Sequence, residues 1–273
     1  MILQERRVYM LRTRFDLCDE FLKETSYSLK TMDKDLFKGY DPAKRPETYL
    51  TYPEAAVQIK LGKPDFSQYE EINLWKLLGS RRSKRNFVEQ PLSLNELNIL
   101  LWGTQGITAD MGDYQLRTSC SAGALFPIET YLLINFVEGV QPGLYHLNVK
   151  DWILEGLKIQ DVSDFAFTVT DHQEMAKVAG VNFVWTAMLE RTRAKYKERA
   201  YRYILWDAGH VSQNLHTVAN GMGLGVCTMG HWYDVEMNEF LGINGKEHMS
   251  ILMASVGKIN GVDWKEDRRP PKI

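Results

Sequence analysis

The sequence predicts an α+β layer fold, and three observations carry that reading. From Glu198 to Asn220 no proline interrupts a helical period in which Ile204, Ala208, Val211, Leu215, Val218 and Ala219 recur, with Met222 just beyond. Residues 143–159 read as a hairpin, two strand-like runs around Lys150 and Asp151. Short apolar runs at 130–137, 181–188, 224–229 and 250–256 read as strands, and helices stand between them. With 273 residues, 44% of them hydrophobic, the chain is long enough to bury one large core.

In chain order, residues 1–70 differ from the rest. They hold four of the nine prolines (Pro42, Pro46, Pro53, Pro64) together with many charges and tyrosines. Residues 15–38 suggest one or two amphipathic helices, through Phe15, Leu17, Phe21 and Leu22 and then Met32, Leu36 and Phe37. Residues 39–66 read as extended, anchored by Tyr49, Tyr52, Val57 and Ile59. The segment 1–70 is therefore expected to be an arm over a core or a partner, and 71–273 the domain proper. Leu74–Leu78 favour a helix that Gly79 loosens. Ser93 and Glu96 form a capping box opening a helix through Leu97, Leu100 and Leu101, which Gly103 and Gly106 are expected to end. Residues 107–119 suggest a surface loop, and 171–179 a short helix. Gly221 suits a helix C-cap, Asp234 an N-cap for a helix to Leu241, and Gly257 and Lys258 close the last strand before a basic tail, 265–273.

The totals exclude some function classes. A net charge of −2 gives no bulk attraction to nucleic acid or to a membrane. No apolar run approaches the roughly 20 residues of a membrane span, and the N-terminus lacks a signal peptide's apolar centre. Three cysteines, Cys18, Cys120 and Cys227, have no metal spacing and suit a reducing cytoplasm. Six scattered histidines give no metal pattern.

Four places could carry chemistry. Arg81, Arg82, Lys84 and Arg85 crowd five positions around Ser83, ahead of the anchor Phe87. Such a cluster repels itself unless an anion sits in it, and arginine forks match phosphate oxygens; a solvated basic turn is the competing reading. Ser121, Ala122, Gly123 and Ala124 are small enough for a flat ligand to lie against their amides, or for a helix and strand to pack closely. Met229-Gly230-His231-Trp232 follows a strand, and Gly230 permits close approach to a planar ring; ordinary loop packing is the alternative. Lys195 beside Tyr196 offers two groups able to exchange protons if burial moves their pKa values toward neutrality, or merely a solvated helix start. Gly221-x-Gly223-x-Gly225 lacks the Rossmann spacing, and His210 fits an interface or core position. No nucleophile elbow, zinc-protease motif or P-loop occurs.

Taken in order, R-R-S-K-R-N-F at 81–87, L-W-G-T-Q-G-I-T at 101–108, S-A-G-A-L-F-P at 121–127, G-L-Y-H at 143–146, R-A-Y-R-Y-I-L-W-D-A-G-H at 199–210 and G-L-G-V-C at 223–227 resemble the FMN-dependent nitroreductase superfamily. Over about residues 71–258 they resemble most its SagB-type dehydrogenases, which oxidise azoline rings in modified peptides. The resemblance implies a mixed, mainly antiparallel central sheet flanked by helices, in an intertwined homodimer that shares two FMN sites. It implies that Arg81, Arg82, Ser83 and Arg85 hold the phosphate and the pyrimidine edge. Ser121, Ala122 and Gly123 would contact the ring from the other subunit. Met229, Gly230 and His231 would lie along a ring face, Lys258 or Arg268 would complete the phosphate site, and Gln105 is a further contact. Lys195 and Tyr196 match a catalytic Lys-Tyr pair. The implied substrate is a peptide azoline, with a cyclodehydratase as partner. The alternatives are a nitro or quinone reductase using NAD(P)H, and a non-catalytic flavin-binding subunit of a peptide-modifying complex. Cys120 replaces a proline common before S-A-G-A, and His231 a second glycine.

Overall fold

A computed structural model of the chain describes residues 16–28, 40–41, 44–112 and 114–260. In chain order the elements are α1 (Asp16–Glu24), β1 (Val57–Lys60), α2 (Leu74–Ser80), α3 (Leu94–Gln105), β2 (Ile107–Asp110), β3 (Gln115–Arg117), β4 (Ile128–Ile134), β5 (Gly143–Asn148) and β6 (Ile153–Ile159). There follow α4 (Ser163–Val169), α5 (Glu174–Val178), β7 (Val181–Met188), α6 (Leu189–Tyr196), α7 (Ala200–Gly221), β8 (Gly225–Met229), α8 (Asp234–Leu241) and β9 (His248–Gly257). Seven strands form one sheet in the order β1-β6-β5-β4-β7-β9-β8, and every pairing in it is antiparallel.

Sheet and helices make three layers. On one face Leu132, Ile134, Phe183 and Trp185 pack against Leu97, Leu100 and Leu101 of α3 and Ile204, Val211 and Leu215 of α7. On the other, Tyr131, Leu133, Val184 and Met253 meet Ala166 of α4, Met175 of α5 and Met237 of α8. Covered on both sides, β4 is buried at all seven positions, which is why its sequence, IETYLLI, does not alternate cleanly. Each fully buried leucine, such as Leu97 or Leu132, contributes about 1.5–3 kcal/mol of transfer free energy.

Several local expectations are met and others corrected. The capping box at α3 is complete, Ser93 accepting from the Glu96 amide and Glu96 from the Ser93 amide. Gly103 lies inside that helix and does not end it: a Cβ there would stand 2.5 Å from Val218 Cγ2, so glycine lets α3 approach α7. Gly106 is the C-cap. Within the expected loop 107–119, β2 and β3 pair as a small hairpin. Tyr233, not Asp234, occupies the N-cap position of α8, without a side-chain capping bond, and α4 is an additional helix. Strand β1 adds to the sheet edge against β6, and Arg199 and Arg202 of the α7 entrance hold the end of α1 through Thr25 and the Leu22 carbonyl. The expected helix around Met32–Phe37 and the basic tail with Arg268 lie outside the described residues. No helix among them is long and apolar enough to cross a membrane.

Candidate functional site

Arg81 begins the basic stretch as the C-cap of α2, its amide donating to the Leu77 carbonyl at 3.1 Å. Arg82 turns its Nη1 onto the carbonyls of Gly79 (3.2 Å) and Arg81 (2.8 Å). The chain then runs beside β8, where the Lys84 amide donates to Val226 O at 2.9 Å. Phe87 anchors it: a Cβ on Gly225 or Gly257 would lie 2.8 or 3.1 Å from the Phe87 ring. From Val226 to Met229 is three residues of strand, about 10 Å at roughly 3.3 Å per residue. One strand therefore carries both the basic stretch and the approach to Gly230, whose Cβ position is open.

His216 of α7 belongs to the same end of the molecule. Its Nε2 meets the Thr228 hydroxyl of β8 at 2.9 Å, and burial, reinforced by the charge of Arg81, pushes its pKa down to about 4. The imidazole is thus neutral at pH 7. Its Nδ1 is buried without a hydrogen-bond partner among the described residues. A buried polar atom left unsatisfied within reach of the charge of Arg81 fits a site for a polar anionic group, and the phosphate and ribityl chain of FMN are such a group.

The small-residue turn is built at the other end of α7. Ser121 Oγ donates to Asp207 Oδ2 at 2.5 Å, the Ala122 amide donates to Asp207 Oδ1 at 3.2 Å, and Ser121 Oγ accepts from the Phe126 amide at 2.9 Å. Burial raises the Asp207 pKa, while the Ser121 and Ala122 hydrogen bonds oppose that shift. Gly123 takes φ 65°, and a Cβ on it would lie 2.8 Å from the Tyr196 hydroxyl and 3.0 Å from Lys195 Nζ. Lys195 and Tyr196 therefore aim at the backbone of the turn. Burial raises the Tyr196 pKa, away from neutrality, so the side chain remains a hydrogen-bond donor and not a base. Cys120 Sγ lies 3.3 Å from His210 Nδ1 beside this turn.

Asp207 and Asn220 are thirteen residues apart on α7, about 20 Å at 1.5 Å per residue. Asn220 bonds Ser80 and Leu77 next to the basic stretch, whereas Asp207 holds the turn. One chain thus sets Arg81–Arg85 beside β8, the strand that leads to Met229 and Gly230, and sets Ser121–Gly123 beside Lys195 and Tyr196. His231 turns outward, 70% exposed, with Nε2 3.4 Å from Asp171 Oδ2. Two of the expected contacts are engaged by other groups of the chain. Gln105 is 2% exposed and committed inside the protein, its amide donating to Ile128 O and Thr130 Oγ1 and accepting from Arg117. Lys258 pairs with Glu96 at 2.5 Å, in a cleft that also carries Asp65 and Glu138, where carboxylates oppose a phosphate.

A charged network buried in the sheet was not foreseen. Glu129 of β4 pairs with Arg191 of α6 at 2.5 Å and with His146 Nε2 at 3.1 Å, and His146 Nδ1 meets Glu155 Oε2 at 2.9 Å. Burial alone would raise the Glu129 pKa, but Arg191 and His146 outweigh it and bring it down to about 2. Burial likewise disfavours charged His146, yet its two carboxylates prevail and raise its pKa. Arg191 Nε also donates to Glu47 O at 2.7 Å, and the Tyr52 and Tyr131 hydroxyls meet at 2.6 Å, so the network fastens residues 47–52 to the sheet. The available signal was the interruption of apolar runs by Glu129 and His146.

The nitroreductase family matches residues 78–258, and this chain belongs to that family. Its similarity to MJ1384 of Methanocaldococcus jannaschii, named as a nitroreductase, is 34% identity over 190 residues, 70% of this chain and 93% of the relative. TfxB of Rhizobium leguminosarum bv. trifolii, a trifolitoxin-processing protein, is 30% identical over 118 residues, which is 41% of this chain and only 32% of TfxB. A nitroreductase structure from Anabaena variabilis superimposes with TM-score 0.67 at 26% identity, over 79% of this chain but 44% of that one. A chain of the Escherichia coli microcin synthetase McbBCD complex shares the fold over 89% of this chain and 87% of its own length, with TM-score 0.59 at 21% identity.

Proposed function

We propose that the chain is an FMN-dependent oxidoreductase that works as a homodimer and dehydrogenates azoline-type rings in a peptide. The observation that carries this reading is Gly123, a backbone position with no side chain on which the Lys195 amine and the Tyr196 phenol converge. FMN, when bound, supplies the acceptor for the hydride that leaves the ring. Arg81, Arg82, Ser83 and Arg85 hold its phosphate, with His216 Nδ1 as an additional polar contact. Arginine beside the pyrimidine edge favours the reduced, anionic flavin. Ser121, Ala122 and Gly123 of the second copy contact the ring, which accounts for their separation from the basic stretch within one chain. Met229 and Gly230 would line the flavin without a bulky side chain at position 230, and His231 would stand beside them. Tyr196 would donate a hydrogen bond to a ring heteroatom of the substrate, and Lys195 would hold the ring beside it, the accompanying proton leaving to solvent.

The peptide substrate is supported by the likeness to TfxB, a toxin-processing protein, and a cyclodehydratase that makes the azoline is the partner this reaction requires. The likeness to MJ1384, named as a nitroreductase, supports a second reading in which NAD(P)H reduces a nitro compound or quinone at the same site. Purified protein is expected to be yellow and to oxidise a thiazoline-containing peptide. Lys195→Ala is expected to abolish most of that turnover while FMN stays bound. Wild-type turnover by the variant would remove Lys195 from the chemistry, and turnover of a nitroaromatic with NADPH in place of the thiazoline would favour the second reading.

A further inference from the structure

The N-terminal arm comes unexpectedly close to the proposed reaction site. Lys195 Nζ stands 5.3 Å from the centroid of the Tyr40 ring and 5.3 Å from that of Tyr196. The Arg199 guanidinium lies over Tyr27 at 4.3 Å and over Tyr203 at 5.9 Å, the Tyr196 and Tyr203 rings are 4.4 Å apart, and Trp206 continues the row 5.2 Å from Tyr203. Two arm tyrosines thus join two from the α6–α7 junction on the side where Lys195 and Tyr196 reach Gly123.

The described arm residues on either side of Tyr40 are fastened. Upstream, Thr25 is held by Arg199 at 2.7 Å and Arg202 at 2.7 Å. Downstream of Tyr40, Arg45 donates to the Ala124 carbonyl, next to Gly123, and Glu47 O accepts from Arg191 at 2.7 Å. Lys197 at the junction adopts φ 52° and ψ −134°, a conformation that costs a non-glycine residue free energy and turns the chain from α6 toward α7 directly after Lys195 and Tyr196.

On the reading that this is the substrate side of an oxidoreductase, we propose that Tyr40 is a positioning residue for Lys195, and that Tyr27, Tyr40, Tyr196 and Tyr203 form a wall for a planar, π-bearing ring of the substrate. The face of Tyr40 attracts the Lys195 ammonium and holds it toward Gly123. The remaining aromatic surface favours a flat ring over a saturated chain. Substrate selectivity then resides partly in the arm.

The face of the ring, not its hydroxyl, is what matters, so Tyr40→Phe and Tyr40→Leu separate this role from simple packing. Full-length wild type and both variants are loaded with FMN and titrated with a thiazoline-containing tripeptide, binding being read from the flavin's visible spectrum. Lysines carrying 13C-methyl groups report the surroundings of Lys195 by NMR, with or without flavin. Tyr40→Phe is expected to match wild type in both measurements. Tyr40→Leu is expected to hold FMN normally, bind the tripeptide about five- to tenfold more weakly, and lose the ring-current shift at Lys195. An unchanged Lys195 resonance in Tyr40→Leu overturns the positioning role. Unchanged tripeptide affinity in that variant, or no tripeptide binding by FMN-loaded wild type, overturns the wall. Wild type that takes up no FMN overturns the oxidoreductase reading instead, and the NMR comparison still decides the positioning role.

Discussion

Gly123 and Arg82 mark the two halves of the proposed site, and each gives a separable prediction. At φ 65°, Gly123→Ala meets backbone strain and the Tyr196 hydroxyl at 2.8 Å, so Lys195 and Tyr196 must move. Turnover is expected to fall at least as far as it does in Tyr196→Phe, with FMN content unchanged; full activity would show that no close approach is needed there. Arg82→Ala is expected to weaken FMN binding by about 1.5–3 kcal/mol, the size of a lost hydrogen bond to a charged group, as measured by equilibrium dialysis. The basic stretch, the small-residue turn and the Lys-Tyr pair could be singled out because each is local in sequence, but residue types left an ordinary structural reading beside each, and the resemblance supplied their roles. Glu129 and His146 interrupt apolar runs, but the pairing of Glu129, His146, Glu155 and Arg191 was not legible, since the partners lie 9, 17 and 62 positions apart in the chain. Gln105 looked available only because its partners, Ile128, Thr130 and Arg117, come from other elements.

At the level of elements, the helices and strands with a full period were legible. The α3 capping box, the β5–β6 hairpin and the long period of α7 are each encoded in a contiguous run. The β2–β3 hairpin was not, because strands of four and three residues show too little alternation to be told from a loop. The seven-residue α4, SDFAFTV, was missed because its aromatic and β-branched residues have no strong helix preference. Gly103 was misjudged because the reason for it lies on α7. Gly103→Ala is expected to destabilise the protein by about 1–3 kcal/mol through overpacking against Val218, as measured by denaturant unfolding. Adding Val218→Ala should recover much of that loss, and a purely additive double variant would contradict the contact.

Over the whole molecule, the pH dependence of stability follows from the buried groups. His216 and His248 are held near pKa 4, chiefly by burial, below the unfolded value of 6.5. The stability they contribute is complete above pH 6.5 and is lost as pH falls from there to about 4. Glu129, held near 2 against 4.5, contributes above pH 4.5 and fails as pH falls toward 2. His146 has the opposite sign: its contribution is complete below pH 6.5 and is lost as pH rises through its raised folded pKa. Thermal unfolding is therefore expected to show Tm falling between pH 6.5 and 4, and His216→Gln should flatten that slope. An equally steep slope in the variant would contradict the assignment.

The assembly is argued at the same scale. The α2 helix exposes Leu74, Leu78 and Trp75, the last at 77%, and α7 exposes Leu205 and Trp206. Apolar side chains in such number on two helices fit a surface that a second copy covers. Such a pairing would bring the basic stretch of one chain to the small-residue turn of the other, as the proposed shared site requires. Sedimentation velocity, followed at the flavin's visible absorbance, tests both ideas at once. The expected result is a single boundary at the mass of a dimer, carrying one FMN per chain. Flavin that sediments with a monomer, or that stays behind while the protein moves, would contradict the shared site.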